Sequence, residues 1–254
     1  MRKFTMRSFL QLSMVMSLLL AISFQMNAQN SESDEPIITI KTNAYKNLGP
    51  TNMFSLVLGT IDAGNIIEVD TGYGRDKYEV NPAVYNEAEG SIVGTFIPCS
   101  VSDEGIVRIY GDPEKIDYIN ASGCYIETIE FPKLANLDIL ELSHNELKSI
   151  DLTNQTKLQA IYMSDNTFTK ETPLIIGYKP DLAILEVSII DWFDPNFNLS
   201  DYPKMMSFDG YHCVSLKNID PSGCPNLYRL TLDVTNVESV DVSKNPELMI
   251  LNIS

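Results

Sequence analysis

Residues 137–166 read LDILELSHNELKSIDLTNQTKLQAIYMSDN. They fall into two lines, Leu137-x-x-Leu140-x-Leu142-x-x-Asn145-x-Leu147 and Leu158-x-x-Ile161-x-Met163-x-x-Asn166-x-Phe168, set 21 residues apart. In a strand, side chains alternate, so Leu140 and Leu142 share one face. Leu137 and Leu147 enter the same interior from the flanking turns. A single coil cannot bury that face, but stacked coils pair strand to strand and join their leucines into a continuous core. The pattern therefore predicts a solenoid. Asn145 and Asn166 stand where the chain leaves the strand, and a buried amide there can satisfy the backbone groups of the bend.

The same line recurs with drift from Ile116, Leu182, Met205, Leu227 and Leu248, at intervals of 21, 21, 24, 23, 22 and 21 residues from first to last. This gives six coils and a fragment. Cys124 and Cys213 occupy the ninth place held elsewhere by Asn145 and Asn166, so these four form the expected structural ladder; Cys suits it as a small buried group. A second motif lies on the opposite edge: Ile129-Glu130-Phe131, Ile150-Asp151-Leu152, Ile219-Asp220-Pro221 and Val240-Asp241-Val242. Turn formers follow it, including Ser222-Gly223-Cys224-Pro225 and Ser243-Lys244-Asn245-Pro246. Helical periodicity is absent, so extended chain and turns are expected on the convex side.

Coils of the form L-x-x-L-x-L-S-x-N-x-L-x-S-I-D-L, preceded by Ile109-Tyr110-Gly111-Asp112, resemble secreted leucine-rich repeat proteins of the Bacteroidetes type. The resemblance covers roughly residues 106–254. It implies extracellular binding or adhesion, without catalysis and without a cofactor.

The rest of the chain is organised around that solenoid. Residues 1–28 read as a signal peptide: Arg2, Lys3 and Arg7 precede the apolar run Ser8–Phe24, and Ala28 offers a cleavage position before Gln29. Residues 29–35 are a polar linker. From Pro36 the pattern is β, with strands at Ile37–Lys41, Phe54–Leu58, Ile66–Val69 and Ser91–Pro98. The expected fold is mainly β: a small β-sandwich-like domain over residues 36–105, capping a leucine-rich repeat domain over 106–254 with little helix. A solenoid needs such a cap because its first strand is otherwise an open edge. The segment Asp70–Asp76 is expected as a hairpin turn, since no helix follows Gly72 and Gly74 to hold a phosphate.

The net charge of the full chain is −16; without residues 1–28 there are 15 basic and 34 acidic residues, or −19. Such a surface argues against nucleic acid and against membrane insertion after signal cleavage. Four cysteines, Cys99, Cys124, Cys213 and Cys224, in an exported chain allow two disulfides, but Cys124 and Cys213 fall on the ladder and Cys224 takes the place of Asn245 in a later coil, so packing is the first explanation; without a C-x-x-C, metal binding is not expected. His144 and His212 both take the eighth place of a coil, on the rim, and no Ser–His–acid or Cys–His set can be assembled; no enzyme is expected.

Function therefore points to the concave face. Its outward columns should be Tyr118, Ile139, Ala160, Ile184, Ser207 and Arg229; then Asn120, Glu141, Tyr162, Glu186, Asp209 and Thr231; then Ser122, Ser143, Ser164, Ser188, Tyr211 and Asp233. The candidate ligand-binding residues are Glu141, Tyr162, Glu186, Asp209, Tyr211 and Asp233, joined by Trp192 from an insertion over 167–204. Tyrosines beside carboxylates favour a basic or host-derived protein partner, with a glycan as the alternative. The rival reading is a recognition segment of a longer enzyme or structural surface protein, because Leu251 and Ile253 fall on a strand edge close to Ser254.

Overall fold

The structure, a computed structural model, describes residues 35–48, 53–88, 91–131 and 134–254. The expected signal peptide lies outside these residues, as does all but the end of the linker. Residues from Pro36 to Ser254 form one compact unit.

The strands of the repeats are short. β9 (Ile116–Asn120), β11 (Ile139–Glu141), β13 (Ala160–Tyr162), β15 (Ile184–Glu186), β16 (Ser207–Asp209), β17 (Arg229–Thr231) and β18 (Ile250–Asn252) stack in parallel, in chain order, with every coil in register. Glu141 aligns with Tyr162, Tyr162 with Glu186, and Glu186 with Asp209. The repeat leucines are inside: Leu137, Leu140, Leu142, Leu147, Leu158, Ile161 and Met163 have no exposed surface. A register slip of one residue would have inverted every face.

Two N-terminal strands close the first coil on both edges. β2 (Met53–Thr60) pairs antiparallel with β9 and carries β7 (Thr95–Ser100) on its other side, completing a sheet of nine strands. β1 (Ile38–Thr42) pairs antiparallel with β10 (Ile126–Glu130), the second-edge strand of the same coil, and with β8 (Ile106–Tyr110). β3 (Asn65–Asp70) and β4 (Arg75–Val80) complete that five-stranded sheet and form the expected hairpin, Asp70 facing Arg75. The expected boundary at 105/106 is not a break in the structure: β8 lies between β1 and β3, so strands from either side of that point share one sheet. The expected strand Ser91–Pro98 is two, β6 (Ser91–Val93), paired with β5 (Val84–Asn86), and β7; at Gly94 an added Cβ would stand 2.6 Å from the Leu58 carbonyl oxygen. Among the described residues, helix is confined to one turn, α1 (Ala44–Asn47), and a 3-10 turn at Leu199–Asp201. β12 (Ile150–Asp151) and β14 (Leu174–Ile175) make the only paired strands of the second edge beyond the cap among the described residues.

Each coil leaves its strand through a left-handed residue at the eighth place. Gly123, His144, Asp165, Ile189, His212 and Val234 have φ of 67°, 59°, 55°, 57°, 60° and 58°. That turn aims each backbone N–H at the next coil: His144 N donates to Ser164 O at 2.8 Å, Ile189 N to Tyr211 O at 2.8 Å and Val234 N to Ser254 O at 3.1 Å. Five of the six are not glycine, and two are β-branched, the most strained choice there.

The ladder residue follows at once. Asn145 Nδ2 donates to Ala121 O and Leu142 O, each at 2.9 Å, while its Oδ1 accepts from Cys124 N and Ile126 N, each at 3.0 Å. Asn166 repeats this, donating to Leu142 O and Met163 O at 2.9 Å. Cys213 Sγ donates to Val187 O at 2.9 Å, the equivalent carbonyl of the preceding coil. All four cysteines are free and buried, and burial pushes the Cys99, Cys124 and Cys213 thiols up to about 12.

A second ladder, only hinted at by Cys224 and Asn245, runs along the other edge. Gln155, Lys179, Tyr202, Cys224 and Asn245 stand three residues before the first apolar residue of a coil, all buried. Gln155 donates to Phe131 O at 3.3 Å, Lys179 to Leu152 O at 2.6 Å, Cys224 to Leu199 O at 3.1 Å and Asn245 to Pro221 O at 2.8 Å. Tyr202 reaches Gly177 O at 3.2 Å. Five chemistries do one job, capping a carbonyl of the coil before.

Two outcomes follow for stability. Asn145→Ala should lower it by about 2–4 kcal/mol, since Cys124 N, Ile126 N and Ala121 O lose this partner, while Leu142 O keeps Asn166. Val234→Gly should raise it by about 0.5–1 kcal/mol by removing the left-handed strain. Denaturant midpoints measure both.

Lys179 has no exposed surface. Desolvation pulls its ammonium down to about 8, with the carboxylate of Asp151 opposing. Its folded value lies below its unfolded one, so the charged form destabilises the fold fully below pH 8 and the penalty fades as pH approaches 10.5. Lys179→Gln, which keeps a donor, should therefore be more stable than the parent at pH 7 by up to about 3 kcal/mol. The gap should close by pH 10.5. Thermal melts of both proteins from pH 6 to 11 test this.

Candidate binding face

The three expected columns are less open than the alternation implies: nearly all of their residues are buried or half-buried, and Tyr211 is exposed. Tyr118, expected to face outward, is buried: the chain at Ala83 crosses β2 beside it, where a Cβ on Gly59 would lie 2.7 Å from Ala83 Cβ and 2.9 Å from Tyr118 Cβ. Ala160, Ser164, Ser188 and Thr231 are buried as well.

The carboxylates differ in what holds them. Glu141 Oε1 accepts from Tyr118 Oη at 3.0 Å and Oε2 from Asn120 Nδ2 at 2.7 Å. Asp209 is 7% exposed. Its Oδ1 accepts from Ser188 Oγ at 2.7 Å and Tyr211 N at 3.1 Å, and its Oδ2 meets Arg229 Nη2 at 2.5 Å. Asp233 Oδ1, on the rim, accepts from Ser254 Oγ at 2.8 Å. Glu186 lies between Tyr162 and Asp209, half-buried, and makes no hydrogen bond among the described residues. Burial, then the charge of Asp209, raise its carboxyl above the usual range, against the pull of Arg229 and His144. Burial likewise raises Glu141 and the Tyr162 hydroxyl.

The sequence reading thus brings Glu141, Tyr162, Glu186 and Asp209 into one row, with Tyr211 and Asp233 at its rim. It missed that Asp209 is enclosed by its neighbours. The signal was present in Arg229, two strand positions away in sequence register. His144, also on the rim, sets Nδ1 2.9 Å from Asp165 Oδ2.

Trp192 is not part of this face. It lines a separate cleft with Lys170, Leu174–Gly177 and Asp194–Asn198, and none of the concave residues lines that cleft. Trp192 takes the eleventh place of its coil, which is normally inward, but the inward role passes to Phe193, which is buried. The 24- and 23-residue intervals on either side supply the extra chain.

No family model matches the chain, and no curated protein matches it. Among solved structures, the functional domain of InlJ from Listeria monocytogenes, which includes a cysteine ladder, is similar at 18% identity with a TM-score of 0.44. The match covers 55% of this chain and 35% of that one. The architecture is that of a leucine-rich-repeat-like β-solenoid, with parallel strands stacked coil on coil.

Proposed function

We propose that the chain is an exported or surface-displayed protein-binding module, and that a basic partner docks on the concave face around Tyr162 and Glu186. The observation that supports this most directly is Glu186, a half-buried carboxylate with no hydrogen-bond partner among the described residues, set in a row whose other acids are engaged. A partly desolvated acid of this kind gains more from an incoming Arg or Lys than a solvated one does. Tyr162 beside it and Tyr211, 42% exposed, supply rigid contact area. The acidic charge of the chain favours the same kind of partner. The export reading rests on residues 1–28; among the described residues no helix is long and apolar enough to cross a membrane.

A pull-down from the native milieu, followed by affinity against ionic strength, tests the reading. Affinity should fall steeply with salt and should drop at least about tenfold in the Tyr162→Ala, Glu186→Ala variant. It should also weaken on acidification, through a pH above the range of an ordinary glutamate, as Glu186 takes up its proton. A partner whose affinity ignores both salt and the variant binds elsewhere.

Glu186 should show the cost of such a site in the free protein. A carboxyl raised on folding stabilises most at acid pH, and its contribution is lost as pH rises through its folded value. Glu186→Gln should therefore melt at a higher temperature than the parent at pH 7, while binding the partner less well. The difference in melting temperature should shrink toward pH 4.

A further inference from the structure

The cleft beside Trp192 has a volume of about 480 Å³, within the range of small-molecule sites. It lies where the strand pairing of the second edge stops. β12 and β14 pair, but the next coil turns away at Asp194-Pro195-Asn196 instead of adding a third strand. The gap is rigidly framed. Phe197 packs against Phe193 at 4.9 Å, Tyr202 at 5.3 Å and Phe208 at 5.9 Å between ring centroids, which fixes the floor. Above it stands Trp192, half-buried and the sole tryptophan of the chain, with Lys170 Nζ 5.8 Å from its ring.

The rim is polar and internally braced. Asp194 Oδ1 accepts from Asn196 N at 3.0 Å, Asn196 Oδ1 from Asn218 Nδ2 at 2.8 Å, and Asp201 Oδ1 from Asn198 Nδ2 at 2.9 Å. Each of these side chains uses one polar atom for bracing. The second atom has no hydrogen-bond partner among the described residues: Asp194 Oδ2, Asp201 Oδ2 and Asn198 Oδ1 as acceptors, Asn196 Nδ2 as a donor. A flat indole, an apolar floor and preset acceptors mixed with a donor suit a ring whose faces are C–H and whose edge is hydroxyl. Hydroxyls both donate and accept, so they use every rim atom. A cation would meet the Lys170 ammonium and leave the Asn196 donor unused, and an anion would face two carboxylates against that single ammonium.

We infer that the Trp192 cleft is a binding site for a neutral saccharide, independent of the concave face.

Because Trp192 is the only tryptophan, its emission reports on the cleft directly. The full chain is titrated with lactose, maltose, cellobiose and chitobiose, with glucuronate and a Lys/Arg-rich peptide as contrasts. A saturable emission change with at least one neutral disaccharide is expected, with none from glucuronate. Asp194→Asn with Asp201→Asn, both exposed and both keeping the bracing acceptor, should weaken it about tenfold at an unchanged melting temperature. Asn196→Asp, which swaps the donor for a like charge, should weaken it too. The Tyr162→Ala, Glu186→Ala variant should titrate as the parent does, which separates this site from the concave one. Silence with all four disaccharides overturns the inference, as does a response only to the peptide, or binding indifferent to the rim variants.

Discussion

The whole molecule depends on hydrogen bonds between coils that no coil can make by itself. A strand of three residues has too little length to be stable alone, and each repeat supplies only that much at β11, β13, β15, β16 and β17. Parallel pairing to the neighbours is what makes them strands at all. The left-handed residue at the eighth place extends the pairing past the strand end by turning one more N–H toward the next coil. Asn145 and Asn166 then close the carbonyls that the bend leaves behind. Every leucine of the core is positioned by that framework, and the stability of any coil is shared with the two beside it.

Much of this was legible in the sequence, and the reasons are specific. The leucine spacing fixes which side chain faces inward, so strand register, the Asn/Cys ladder and the rim place of His144 and His212 follow directly. The 36–105 region was legible strand by strand but not in its joins. Pairing between β1 and β10, or β2 and β9, brings together residues more than fifty positions apart, and no local pattern encodes that. The second ladder was hidden by its chemistry. Gln155, Lys179, Tyr202, Cys224 and Asn245 share no residue type, only a donor that reaches a carbonyl of the preceding coil. A lysine there reads as a solvated charge until the fold shows it enclosed.

The candidate site was half legible for a related reason. Alternation along a strand says which residues face outward, and it placed Glu141, Tyr162, Glu186 and Asp209 in one row. It says nothing of what stands across the row from them. Tyr118 and Asn120 hold Glu141, and Ser188 and Arg229 hold Asp209, because their strands are neighbours in register. Trp192 was joined to that face because it lies in the insertion over 167–204, and an insertion does not say which side of the coil it extends; here Phe193 takes the inward place and Trp192 lines a separate cleft.

The neighbours of Glu186 explain why its position matters physically. Arg229 is engaged by Asp209, with its other contact to Thr231, so its charge reaches Glu186 only at a distance. Ser188, two residues along the chain, donates its hydroxyl to Asp209 rather than to Glu186. The network thus satisfies Asp209 fully and Glu186 not at all. A buried polar row that is fully satisfied stiffens a sheet, whereas a single unsatisfied member holds an affinity open for whatever donor arrives. On a face made of rigid, registered strands that opening does not close by side-chain collapse. In the free protein that opening faces solvent, and a cationic donor would gain the most from it.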